Sequence, residues 1–179
     1  MGTPGSRRHS LEIRGRQRRY RTPSTAANAL SDATRRQAQL TEVFFYHGAA
    51  DKVAAACALL GGAYAQKKPM LVYAPEKELA SHIDRQLWNQ PALSFVPHCR
   101  ADSPLAAETP VLITDNLDKP AQLDRLMNLD LNAPPGFERF QRLIEVVGQD
   151  DEDRLAARAR VKFYKDSGCE VQYFDLSKR

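Results

Sequence analysis

The sequence predicts an α/β domain: a mostly parallel sheet flanked by helices in three layers, Rossmann-like in its general plan. Three observations predict it. Short apolar runs recur along the chain ("EVFFY", "MLVYA", "TPVLIT"). Segments of helical period alternate with the first of these runs. A long segment led by acids and closed by bases then precedes a last short run, "CEVQYFDL".

Taken in order, residues 1–40 contain few large apolar residues and no sustained period, so they are expected to be disordered. "EVFFY" (42–46) reads as the first strand, ending at His47-Gly48. Residues 51–68 read as an alanine-rich helix, with Asp51 near its start and lysines at its end. The Gly61-Gly62 pair within it marks either close packing or a weak point. "MLVYA" (70–74) is the second strand. Residues 75–88 open with Pro75 at a first helical position, and Leu79, Ile83 and Leu87 share one face. "SFVPH" reads as a short strand or extended turn, and "TPVLIT" (109–114) as a strand. Residues 126–132 are extended or mixed, and 137–147 are ambiguous by period but end as a strand. "DDEDRLAARARVKFYKDSG" (150–168) is a helix with Gly168 at the C′ position, and 169–176 close the domain as a strand.

The chain has 179 residues and a net charge of +4, unevenly spread. In residues 1–40, nine arginines against Glu12 and Asp32 give +7. The remaining 17 basic and 20 acidic residues give the domain −3. The basic pI therefore belongs to the arm, and little direct DNA binding is expected of the domain at 41–179. The arm itself reads either as an arginine-rich nucleic-acid segment or as residues ahead of a true start. Domain sequence begins abruptly at "LTEVFFYHG", and Leu40 is compatible with a CTG or TTG start codon, which favours a misassigned start. No apolar run approaches the ~18–20 residues that span a bilayer, and no signal-peptide core is present. Three scattered cysteines (Cys57, Cys99, Cys169) without a C-x-x-C pattern fit neither a disulfide framework nor a zinc ribbon, and point to a reducing cytoplasm.

An α/β domain of this size invites a nucleotide-binding enzyme as one reading, but the motifs do not support it. After the first strand stands "YHGAADKVAAA", whose single Gly48 does not make a phosphate-cradling loop. No G-x-G-x-x-G and no G-x-S-x-G elbow occurs. His47, His82 and His98 are candidate acid–base groups without an accompanying constellation. His98 and Cys99 are adjacent in an extended segment and so point to opposite sides. Asp115 and Asp118 in "TDNLDKP" read as metal ligands or, more simply, as a loop.

The helix at 150–168 carries more information. At about 100° per residue, Arg154, Arg158, Lys162 and Lys165 fall within about one quarter of its circumference. Leu155, Ala159 and Phe163 form the adjoining sector and are expected in the core. Val161 lies at the other edge of the basic stripe, with Ala157 and Tyr164 beyond it. The plain reading is a solvated face steadied by an Asp150–Arg154 pair. The sharper one is a site for an acidic peptide with a hydrophobic end, gripped at its carboxylates by arginine.

"LWNQPALSFVPH" (87–98), "RARVKFYKDSGCEV", "EVFFY" and "MLVYA" together resemble the chi subunit of bacterial DNA polymerase III holoenzyme over residues 41–176. The resemblance implies a domain without a phosphate loop, without a cofactor or intrinsic activity. It implies an adaptor that binds the psi subunit, and through it the clamp loader, in the bacterial cytoplasm at the replisome. It also implies binding of the acidic C-terminal tail of single-stranded DNA-binding protein, which ends in Pro-Phe. Carried over by position, Arg154, Arg158 and Lys162 match basic positions of the tail site. Val161 stands where the family often has an aromatic, so Val161, Tyr164 or Phe163 is expected to share that role. Trp88 and Phe95 match the aromatic positions of the psi-facing surface.

Overall fold

The computed structural model describes residues 40–89 and 95–177. The expectation for the arm up to residue 39, and that for Ser94 at the start of "SFVPH", lie outside the described residues. Among the described residues seven strands form one sheet: β1 (Glu42–Ala49), β2 (Met70–Tyr73), β3 (His98–Arg100), β4 (Val111–Thr114), β5 (Arg125–Asn128), β6 (Arg142–Gly148) and β7 (Val171–Asp175). Their order is β3-β4-β2-β5-β6-β1-β7, and every neighbouring pair is parallel. Among the described residues three α-helices cover it: α1 (Lys52–Ala65), α2 (Lys77–Trp88) and α3 (Asp151–Asp166). The three-layer α/β architecture is the one the alternation of elements predicts.

The central strands are apolar on both faces because both faces are covered. Met70, Val72, Val111 and Ile113 pack with Val53, Leu60, Ile83 and Leu87 of α1 and α2. The alternate residues, Leu71, Tyr73, Leu112 and Leu126, pack with Phe137, Phe140 and Tyr164 on the α3 side. A period of two along each strand thus feeds two separate cores. The segment 137–147, ambiguous in sequence, is a 3-10 turn at Phe137–Arg139 followed by β6. α1 runs unbroken through Gly61 and Gly62.

The starts of α1 and α3 are capped by side chains, whereas Glu76 makes no side-chain cap at the start of α2 and Pro75, expected at the first helical position, precedes it. The Asp51 carboxylate accepts from the Ala54 N–H at 2.9 Å, and the Asp150 carboxylate from the Asp153 N–H at 2.8 Å. At the far end of α3, Gly168 takes φ +83, its N–H donates to the Lys165 carbonyl, and that of Cys169 donates to Tyr164. This is a Schellman closure, and it turns the chain directly into β7.

Candidate functional site

α3 is fastened to the sheet by a buried charged cluster. Its inward residues are Asp153, Ala157, Arg160 and Tyr164, spaced i, i+4, i+7 and i+11. Arg160 donates from Nε to Glu145 at 3.0 Å and from Nη1 to the Leu131 carbonyl at 2.6 Å. The Tyr164 hydroxyl and Asn128 also donate to Glu145. Burial pushes the Glu145 carboxyl above its usual range, although Arg160, Tyr164 and Asn128 pull the other way. At the start of the helix, Asp153 accepts from the Gly148 N–H at 2.8 Å and pairs with Lys52 of α1 at 3.1 Å.

This inward face overturns two expectations. Tyr164 is fully buried with its hydroxyl committed to Glu145, so it does not line a surface site. The sector Leu155, Ala159 and Phe163 is not core: Leu155 is 68% and Phe163 49% exposed. The physical reason is that the Glu145 carboxylate demands partners, and Arg160 and Tyr164 meet it only if the helix turns their side inward. The anticipated Asp150–Arg154 pair is also absent. Asp150 caps the helix, and Arg154 lies 3.5 Å from Asp151 instead.

With that side inward, Arg154, Arg158, Lys162 and Lys165 are exposed together along the outer flank of α3. Beside them opens a hollow of about 400 Å³. Its apolar walls are Phe45 of β1, Val147 of β6, Ala157 and Val161 of α3, and Tyr173 of β7. Arg154, Arg158 and His47 complete the rim. Lys165 lies 5.4 Å from the centroid of the Tyr173 ring. An apolar hollow beside a row of cations suits a ligand that is hydrophobic at one end and anionic along its length. Phe45 and Tyr173, absent from the sequence reading of the site, pack ring to ring at 5.9 Å. Their place beside α3 comes from the parallel register of β1 with β7, which pairs Phe45 with Tyr173. Neither residue carries a sequence signal of that pairing.

The second candidate surface lies at the end of α2. Leu87 is buried, but Trp88 is 60% and Phe95 42% exposed, with ring centroids 5.3 Å apart. His98 supports them from below, 5.2 Å from the Trp88 ring. Its buried side chain joins the Val96 carbonyl through Nδ1 at 2.8 Å, and Asp84 Oδ1 stands 3.4 Å from Nε2. His98 is therefore part of the frame of the aromatic patch. Cys99 packs in the other core, on the opposite side of β3, as expected for adjacent residues in a strand.

The remaining polar candidates are local structure. Asp118 receives Asn116 Nδ2 at 3.3 Å and donates its own N–H to Asn116 Oδ1 at 2.7 Å, a self-contained turn. Asp115 faces Arg100 at 3.6 Å. Among the described residues, no cluster of three metal-ligating side chains converges, and no helix is long and apolar enough to cross a membrane.

Comparison with known proteins identifies similar sequences. The family model described as "DNA polymerase III chi subunit, HolC" matches residues 40–172. The chain is 31% identical to the DNA polymerase III subunit chi of Pseudomonas aeruginosa over 117 residues, 65% of this chain and 81% of that one. It is 30% identical to that of Haemophilus influenzae over 60% of this chain and 75% of the relative. For the Escherichia coli subunit the identity is 26%, over 63% and 77%.

Proposed function

The chain belongs to the DNA polymerase III chi subunit family, and from that premise we propose that it is a non-catalytic adaptor of the bacterial replisome. One surface binds the acidic C-terminal tail of single-stranded DNA-binding protein. The other binds the psi subunit, which links it to the clamp loader in the cytoplasm. An accessory role in replication follows from the family; the two partners are our reading.

The observation that carries the reading is the hollow between Val161, Ala157, Phe45 and Tyr173 with Arg154 and Arg158 at its rim. A terminal phenylalanine enters the apolar part, and the acidic run before it meets Arg158 and Lys162. Val161 is half-buried there, and Tyr173 supplies the ring that the family often places at the Val161 position. For psi, Trp88 and Phe95 supply an exposed pair of aromatic rings in contact, of the kind that dominates interface energetics.

The test is calorimetry with a synthetic peptide of acidic residues ending in Pro-Phe. Binding that weakens as salt rises is expected, and Arg158→Glu is expected to remove it while leaving the melting temperature unchanged. An Arg158→Glu protein that binds as wild type does would sink the assigned site.

A further inference from the structure

We infer that the open edge of β7 receives the acidic run of the tail peptide as an added strand, so that pairing, hollow and basic stripe read one continuous ligand. This rests on the tail-binding reading above and adds a binding mode to it.

β7 ends the sheet: among the described residues its one strand neighbour is β1. Main-chain bonding shows which residues face that neighbour. The Glu170 carbonyl accepts from the Val43 N–H at 3.0 Å, and the Leu176 N–H donates to the His47 carbonyl at 2.9 Å. In a strand the amide and carbonyl of one residue point to the same side, and successive residues alternate. The even-numbered residues therefore bond to β1, and Val171 and Tyr173 direct their main-chain groups outward, along the free edge. Such an edge is a ready template for an extended peptide.

The chemistry beside the edge selects the occupant. Tyr173 is at once the middle residue of the edge and a wall of the hollow. Lys165 stands over its ring at 5.4 Å, and Arg158 lines the hollow as well. A strand laid against Val171 and Tyr173 is continuous with the hollow and lies beside the cationic flank of α3. Glu170 and Asp175, at the two ends, confine the favourable field to the middle of the strand. This cationic flank favours an acidic peptide over a second copy of the chain, whose own β7 would bring the same cationic flank against this one.

The experiment compares three synthetic peptides on the full chain by calorimetry: a run of aspartates ending in Pro-Phe with a free carboxylate, and two analogues with N-methyl groups on alternate aspartates, one in each phase. Strand pairing requires that one phase lose about tenfold or more in affinity, because its edge-facing amides can no longer donate, while the other binds as the parent does. The Val171 and Tyr173 amides are expected to exchange more slowly with the parent bound. Tyr173→Pro is expected to weaken binding beyond Tyr173→Ala, since proline removes an outward N–H and leaves the β1 ladder intact. Equal behaviour of both phases overturns the pairing and leaves the adaptor reading standing. No binding by the parent peptide overturns both. Self-association of the chain that Tyr173→Pro abolishes assigns the edge to a second copy, and overturns the inference as well.

Discussion

Glu145 is the one acidic residue in the apolar run Leu143–Val147 of β6, and it is fully buried. A charge inside such a run was the legible signal that something must answer it. What answers it, Arg160 and Tyr164 of α3, was not legible, because the contact joins elements through the fold. Tyr164→Phe removes one donor from the buried carboxylate and is expected to cost about 1–3 kcal/mol, read as a lower urea midpoint. Burial raises the Glu145 pKa above its unfolded value. The folded state then binds the proton more tightly, so this contribution is fully present at low pH and is lost as pH rises through the folded pKa. Wild type is therefore expected to gain stability relative to Glu145→Gln as pH falls from neutral, measured by urea unfolding at a series of pH values. Cys57 gives a second check. Burial, with Asp51 adding to it, pushes its thiol from 9.0 to about 11. Its contribution to stability is fully present below pH 9.0 and is lost as pH rises through about 11. Since the thiolate is the reacting form, Cys57 is expected to stay unlabelled by iodoacetamide at neutral pH until the protein unfolds.

At the scale of elements, the caps and the ends of α1 and α3 follow from single residues, Asp51, Asp150 and Gly168. The rotation of α3 does not. Helical period allowed either the Leu155–Ala159–Phe163 sector or the Ala157–Tyr164 side to face the sheet, and hydrophobicity favoured the first. The buried ion cluster chose the second. Leu155→Ser is accordingly expected to change stability by no more than about 0.5 kcal/mol, whereas a core leucine such as Leu60 replaced by alanine costs about 2–5 kcal/mol; thermal unfolding separates the two. α2 is the opposite case. Its face Leu79, Ile83 and Leu87 was readable, with Ile83 and Leu87 fully buried and Leu79 packed against that core, and Trp88 falls just past the buried side. Trp88→Ala and Phe95→Ala are expected to keep the fold and the tail-peptide affinity and to lose psi, measured by co-purification. Unfolding of the Trp88 variant would instead mark that ring as structural.

For the whole molecule, the two candidate surfaces lie at separate places on one sheet. The Trp88 patch adjoins β3 at one end of the strand order, and the hollow adjoins β7 at the other. On the proposed reading that separation leaves room for both partners at once, and the psi complex is expected to bind the tail peptide with unchanged affinity by calorimetry. Charge is divided in the same way: the net −3 of residues 41–179 is locally reversed on α3 by Arg154, Arg158, Lys162 and Lys165.

The sequence by itself determined the alternation of strands and helices, the absence of a phosphate loop motif, the Gly168 closure of α3, and the basic stripe. These are set by neighbours a few residues apart, where period and turn chemistry act. The tertiary structure alone decided which side of α3 is buried, that Tyr164 belongs to the interior, and that Phe45 and Tyr173 stand beside Val161. Each of those depends on residues brought together across the sheet by parallel pairing and by the solvation needs of one buried carboxylate.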